Sequence, residues 1–160
     1  CAGVILTSPW LHLRIQPSKL SGALANMGKL ADHIKSTHEI TIKDLTRNYD
    51  VYMQEKNDPH YTNRITLKWY RELQNLKKNT FGRLESILNV PVLLMTAERD
   101  KITDPTFSQN WLSKQKISEY QYKEWNNCYH DLFHEPEREN VYYYTESFMH
   151  NVLRSIGYIV

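Results

Sequence analysis

A chain of 160 residues that is 41% hydrophobic and 24% charged, with only 5 Gly and 6 Pro, is a folded domain rather than a disordered tail, a collagen-like repeat or a linker. At this length about 68–70% of the unfolded surface can be buried, enough for one real core. A formal net charge of +2 argues against a dedicated nucleic-acid binder, and no apolar run reaches the roughly 18 residues of a membrane span.

The elements follow in chain order. Gly3-Val4-Ile5-Leu6-Thr7-Ser8, stopped by Pro9, reads as a short buried strand. From Ser18 to about Arg83 the spacing turns helical, with Leu20, Leu24, Met27, Leu30 and Ile34 on one face. Asn57-Asp58-Pro59 marks a turn, and a helix starting at Thr66 carries Leu73 and Leu76 toward Phe81. Val90-Pro-Val-Leu-Leu-Met-Thr-Ala97 is apolar at nearly every position, as a parallel strand covered on both faces must be. Thr103-Asp104-Pro105 offers an N-cap and a first-turn proline for the next helix, with Asp104 as the cap. Ser118 to Trp125 alternates loosely and reads as a third strand. A last helix runs from about Glu137 through Val141, Tyr144, Phe148, Val152 and Ile156, with Gly157 as its stop. Strand, helical insertion, strand, helix, strand, helix describes an α/β fold with parallel core strands.

An open parallel sheet gathers its chemistry at the carboxyl ends of its strands, where the loops around Asp100 and His130 fall. A carboxylate that accepts from one imidazole nitrogen fixes the tautomer and leaves the other nitrogen to take a proton. Asp before His is the order of the α/β-hydrolases, but their Gly-x-Ser-x-Gly turn is absent: neither Ser8 nor Ser86 has flanking glycines. The spacing of His130 and His134 suits zinc on a helix, yet Asp131 stands where a metalloprotease needs Glu, and Glu135-Pro136 favours a loop. The expectation is no metal. Lys68, Arg71, Lys77, Lys78 and Arg83, interleaved with Trp69 and Tyr70, form either a solvated helix face or a strip for nucleic acid or an anionic membrane surface, the membrane being the better functional option. The basic charge is concentrated early: residues 1–80 hold 12 basic and 7 acidic side chains, residues 81–160 hold 8 and 11. Cys1 and Cys128 cannot build a disulfide framework, which points to a reducing, cytoplasmic compartment.

Val90 to Asp104, with Glu98-Arg99-Asp100-Lys101 after the strand, resembles the penultimate core strand and acid loop of the monoacylglycerol lipase and lysophospholipase group of α/β-hydrolases (serine aminopeptidase S33-like). Cys128-Tyr129-His130-Asp131-Leu132-Phe133-His134-Glu135 resembles their catalytic-histidine loop. Gly3 to Pro9 is similar to the strand after the nucleophile helix, and Leu45-Thr46-Arg47-Asn48 with Asn57-Asp58-Pro59 resemble marks of the helical cap.

The resemblance implies the C-terminal portion of a hydrolase: residues 1–8 a core strand, 9–86 a helical cap, 87–160 the C-terminal core. Asp100 is then the triad acid and His130 the general base, while Trp10, Leu11, Met27, Trp69 and Tyr70 contact a lipid ester substrate. It implies no cofactor. Its partners are the missing N-terminal half, which would hold the serine, and transiently a membrane surface. The chain alone is expected to be inactive and, with its first strand unpaired at one edge, prone to aggregate. A peptidase or thioesterase on the same scaffold, or a non-catalytic binding protein with a hydrolase fold, are the alternatives.

Overall fold

The computed structural model describes residues 1–14, 32–81 and 89–159. Its strands are β1 (Val4–Thr7), β2 (Lys35–Thr37), β3 (Arg64–Thr66), β4 (Val92–Ala97) and β5 (Tyr120–Trp125). Its α-helices are α1 (Ile42–Leu45), α2 (Tyr49–Glu55), α3 (Leu67–Leu76), α4 (Pro105–Ser113) and α5 (Arg138–Ser155).

β1, β4 and β5 form one parallel sheet in the order β1-β4-β5, with Val4 beside Val92 and Val92 beside Tyr120. All six residues of β4 are buried, because helices cover both faces of this central strand. Leu93, Met95 and Ala97 pack against Val141, Phe148 and Val152 of α5, together with Cys128 and Leu132. Val92 and Leu94 face the other way, onto Leu112 of α4 and Ile117. On β4 the polar Thr96 is satisfied by the Tyr122 hydroxyl at 2.9 Å. At the start of β1 a side chain on Gly3 would meet the Pro91 carbonyl at 3.2 Å and Val152 at 3.5 Å, so close packing of the sheet edge on α5 calls for glycine.

The helix ends follow their local chemistry. Asp104 caps α4 by accepting from the Thr106 and Phe107 amides, and Pro105 occupies the first turn. Thr66 caps α3 by accepting from the Trp69 amide. Gly157 ends α5 at φ +91°, its amide donating to the Arg154 carbonyl and that of Tyr158 to Leu153, a Schellman closure.

The insertion between β1 and β4 is not purely helical. β2 and β3 pair as an antiparallel ribbon, Lys35 opposite Thr66 and Thr37 opposite Arg64. The helical spacing of residues 20–34 does not extend to Lys35-Ser36-Thr37, where only Thr37 favours a strand and pairing with β3 sets the extended conformation. Ile34, expected on an apolar helix face, is exposed, and its carbonyl accepts from the Leu67 amide that opens α3. Leu20, Leu24, Met27, Leu30, Arg83 and Ser86 lie outside the described residues. Arg71 of the basic strip is committed to an ion pair with Asp32, so that part of the strip is structural.

Candidate active site

β4 and β5 end side by side, and backbone bonds stitch the loops they feed. The Glu98 amide donates to the Trp125 carbonyl at 3.1 Å and the Arg99 amide to that of Cys128 at 3.0 Å. This pairing delivers Asp100 to His130. The His130 Nδ1 lies 2.9 Å from Asp100 Oδ2, with the carboxylate side chain 1% exposed and the imidazole 14%.

The carboxylate is saturated. Its Oδ1 accepts from the amides of Ile102 at 2.7 Å and Thr103 at 2.9 Å, and its Oδ2 accepts from the Thr103 hydroxyl at 2.6 Å. Burial pushes the Asp100 carboxyl upward, but the hydrogen bond and charge of His130, then the bonds from Thr103, outweigh it and hold the group below its ordinary value. An ionised carboxylate only accepts, so Nδ1 of His130 carries the proton. At the other nitrogen the Trp10 indole N–H donates to Nε2 at 3.2 Å. Both contacts select one tautomer, with the Nε2 lone pair accepting from Trp10 and able to take a proton once that bond is given up.

The sign of the pH effect follows. A carboxyl whose folded pKa is depressed binds fewer protons folded than unfolded, so its stabilisation is present above about pH 4 and lost as pH falls through the folded value. Glu137, held low chiefly by its hydrogen bond from Arg47, acts in the same direction. Urea midpoints are expected to fall steeply below about pH 4, and less steeply in Asp100→Asn; equal slopes would contradict this origin.

Beside this pair lies a cavity of about 670 Å³. Trp10, Leu13, Ile65, Leu67, Trp69, Tyr70, Leu73 and Ile102 supply its apolar wall, while Ser36, Thr37, His38, Glu39, Tyr61 and Thr62 supply polar edges. Trp10 joins the two features: it lines the cavity, meets Trp69 edge-on at 6.1 Å between ring centroids, and touches Nε2 of His130. Of the residues expected to contact substrate, Trp10, Trp69 and Tyr70 line this space. Leu11 does not; it is buried, and Leu13 takes a place on the wall instead. Met27 lies outside the described residues.

The insertion is sewn to the acid loop. The Asp104 amide donates to the His12 carbonyl at 3.0 Å and the Arg14 amide to that of Ile102 at 2.8 Å, while the Arg14 guanidinium donates to the Asp100 carbonyl at 2.8 Å. Lys101 reaches Asp44 of α1 at 3.0 Å.

Sequence reasoning misses the polar centre behind His130. Glu135 is wholly buried and bonded to Arg47, and the Arg47 guanidinium also pairs with Glu137. Ligand atoms of Cys128, Glu135 and Glu137 lie within 4.8 Å of one another, the spacing of a metal site. Arg47 already supplies the cation there, and burial, then the two carboxylates, push the Cys128 thiol up to about 11, so the donor set does not suit a metal ion. His134 is engaged apart from His130, its Nδ1 lying 2.7 Å from Asp131.

The model of the serine aminopeptidase S33 family of hydrolases matches residues 1–137. The chain belongs to that family. It is 36% identical over 141 residues to Phospholipase YtpA of Bacillus subtilis, an alignment covering 88% of this chain and 54% of that protein. Its fold resembles the monoacylglycerol lipase of Paleococcus ferrophilus, with a TM-score of 0.82 at 23% identity over 94% of this chain and 59% of that one. It also resembles a soluble variant of the monoglyceride lipase of Saccharomyces cerevisiae, solved with a substrate analogue, at a TM-score of 0.77 and 13% identity, covering 92% and 55%. The fold is therefore that of the α/β-hydrolases, and the S33-family chain spans a little over half the length of the relatives it matches. No described helix is long and apolar enough to cross a membrane.

Proposed function

We propose that this chain supplies the acid and the base of a serine hydrolase that cleaves lipid monoesters, of the lysophospholipase or monoacylglycerol lipase type. The observation that carries the reading is the continuity from Asp100 through His130 and Trp10 into the apolar cavity. In this reaction a serine hydroxyl displaces Trp10 from Nε2, His130 takes its proton as the oxygen attacks the acyl carbonyl, and the imidazolium then protonates the departing alcohol. Asp100 stabilises the imidazolium while staying ionised. Water, activated by the same nitrogen, releases the fatty acid.

The serine belongs to a Gly-x-Ser-x-Gly turn outside these 160 residues, since none exists within them. The partial coverage of the relatives supports this placement. The insertion between β1 and β4 is the lid, with Trp10, Trp69 and Tyr70 against the acyl chain. Residues 1–8 and 87–160 then belong to the hydrolase core.

Ester lipids are favoured over peptides by the lining. An aminopeptidase must hold an α-ammonium group with carboxylates, whereas Glu39 is the sole carboxylate among the described residues of a largely apolar wall. The test is turnover of a monoacylglycerol, a lysophospholipid and an aminoacyl anilide by the protein that carries this chain together with its nucleophile. Hydrolysis of the lipid esters with the anilide untouched is expected. Preference for the anilide would overturn the reading.

A further inference from the structure

The structure assigns Glu135 a positioning role: with Arg47 it holds the loop that carries His130, and thereby couples the insertion between β1 and β4 to the base. This rests on reading His130 as the proton acceptor.

The residues on both sides of His130 are pinned, and both pins end in Leu45-Thr46-Arg47. The Tyr129 amide donates to Glu135 Oε2 at 3.2 Å, and the Asp131 amide donates to the Leu45 carbonyl at 2.9 Å. Glu135 in turn is gripped by the backbone of the insertion, its Oε1 accepting from the Arg47 amide at 2.7 Å, and by the Arg47 side chain, whose Nε donates to Oε2 at 2.7 Å. The Thr46 hydroxyl adds a bond to the His134 carbonyl at 2.8 Å. A wholly buried carboxylate persists only when its charge is met, and three N–H donors, one of them on a guanidinium, meet it here. Glu135 and Arg47 lie off the cavity wall and bond to neither ring nitrogen of His130. What they fix is where the imidazole stands, because a base misplaced by about 1 Å costs on the order of 100-fold in rate.

Glu135→Gln keeps the size of the side chain but sets its NH₂ group either against the Arg47 amide or against the Arg47 Nε–H and the Tyr129 amide, depending on which way it turns. In the protein joined to its nucleophile, kcat per active site, counted with a fluorophosphonate label, is expected to fall about 10- to 100-fold with KM unchanged. Arg47→Met alone strands a buried charge and is expected to lose at least as much. Combining it with Glu135→Gln removes that charge, so the double variant should lose less than the product of the two single effects.

A Val152→Ala variant, which loosens the core without touching this clamp, controls for stability and should leave kcat per labelled site unchanged. A second readout does not need turnover: the downfield proton resonance between His130 and Asp100 should weaken in Glu135→Gln and persist in Val152→Ala. If Glu135→Gln fails to fold, Arg47→Lys serves, since a lysine keeps the charge but lacks the fixed fork by which Arg47 Nε meets Glu135 while its terminal nitrogen meets Glu137. Unchanged kcat per labelled site and an unchanged resonance would overturn the inference. A wild-type protein that hydrolyses no ester, with the resonance still lost in Glu135→Gln, would instead sink the hydrolase reading and leave the clamp standing.

Discussion

Under the proposed hydrolase mechanism, replacing His130 by alanine in the protein that carries this chain with its nucleophile is expected to lower kcat for a lipid ester by about 10⁶-fold, and Asp100→Asn by about 10⁴-fold, with KM nearly unchanged in both. The two effects differ because the groups do different things. Without the imidazole nothing accepts the serine proton, and only binding and the oxyanion donors remain. The carboxamide introduced by Asp100→Asn fills the same space but presents an NH₂ toward the Thr103 donors or toward Nδ1, whichever way it turns. Where the NH₂ faces His130, Nδ1 becomes an acceptor and the proton moves to Nε2, the wrong nitrogen for a base. Combining the two changes should cost little beyond His130→Ala alone, since a carboxylate with no imidazole to orient has no work left. The measurement is steady-state turnover per mole of folded protein. Retention of more than about 1% of kcat in His130→Ala would place the base elsewhere.

How far the sequence alone reaches toward this site depends on the range over which each residue acts. β4 is legible because six buried neighbours in a row leave a strand covered on both faces as the economical reading. Asp104 and Gly157 are legible because capping is settled within one turn of the chain. Asp100 and His130 stand out by their place after strands and by resemblance. Their meeting at 2.9 Å depends on the β4–β5 register, which no local pattern states. The β2–β3 ribbon escapes notice for a related reason. Residues 35–37 and 64–66 pair across the whole of α1 and α2, and three-residue strands carry too little periodicity to announce themselves.

Glu135 is the instructive miss. Leu45-Thr46-Arg47-Asn48 and the acidic residue closing the histidine loop both stand out as motifs, 88 positions apart, without any hint that one grips the other. A Glu followed by Pro reads as solvated loop, and only the fold turns it into a buried acceptor. The available signal is weak: an Arg in one motif and a Glu in the other, each with opposite charges three positions away (Asp44 and Asp50 for Arg47, Arg138 for Glu135) that would pair just as readily on paper. Leu11 fails in the opposite direction. It shares a short apolar stretch with Trp10 and Leu13, yet adjacent residues after a strand diverge, and Leu11 turns into the protein while its neighbours face the cavity.

The same geometry makes the centre of β4 the place where stability is most exposed to mutation. Leu93→Ala is expected to cost about 3–5 kcal/mol, a large part of the roughly 5–15 kcal/mol that holds a typical domain together. Leu93 is fully buried, and its neighbours Val141, Phe148 and Val152 belong to one long helix that cannot move toward the gap without losing its grip on Met95 and Ala97. The void should therefore stay largely open, which puts the loss near the top of the range for such truncations. Met95, on the same face, is the residue best able to lean into the space, since its side chain is unbranched. Leu93→Met, which conserves volume, should accordingly cost less than about 1.5 kcal/mol. Leu76→Ala, at an exposed position of α3, should stay within about 0.5 kcal/mol. Urea midpoints at fixed slope give the three values directly. A Leu93→Ala loss no larger than that of Leu76→Ala would mean that the parallel sheet is not the packed centre from which the Asp100 and His130 loops are projected.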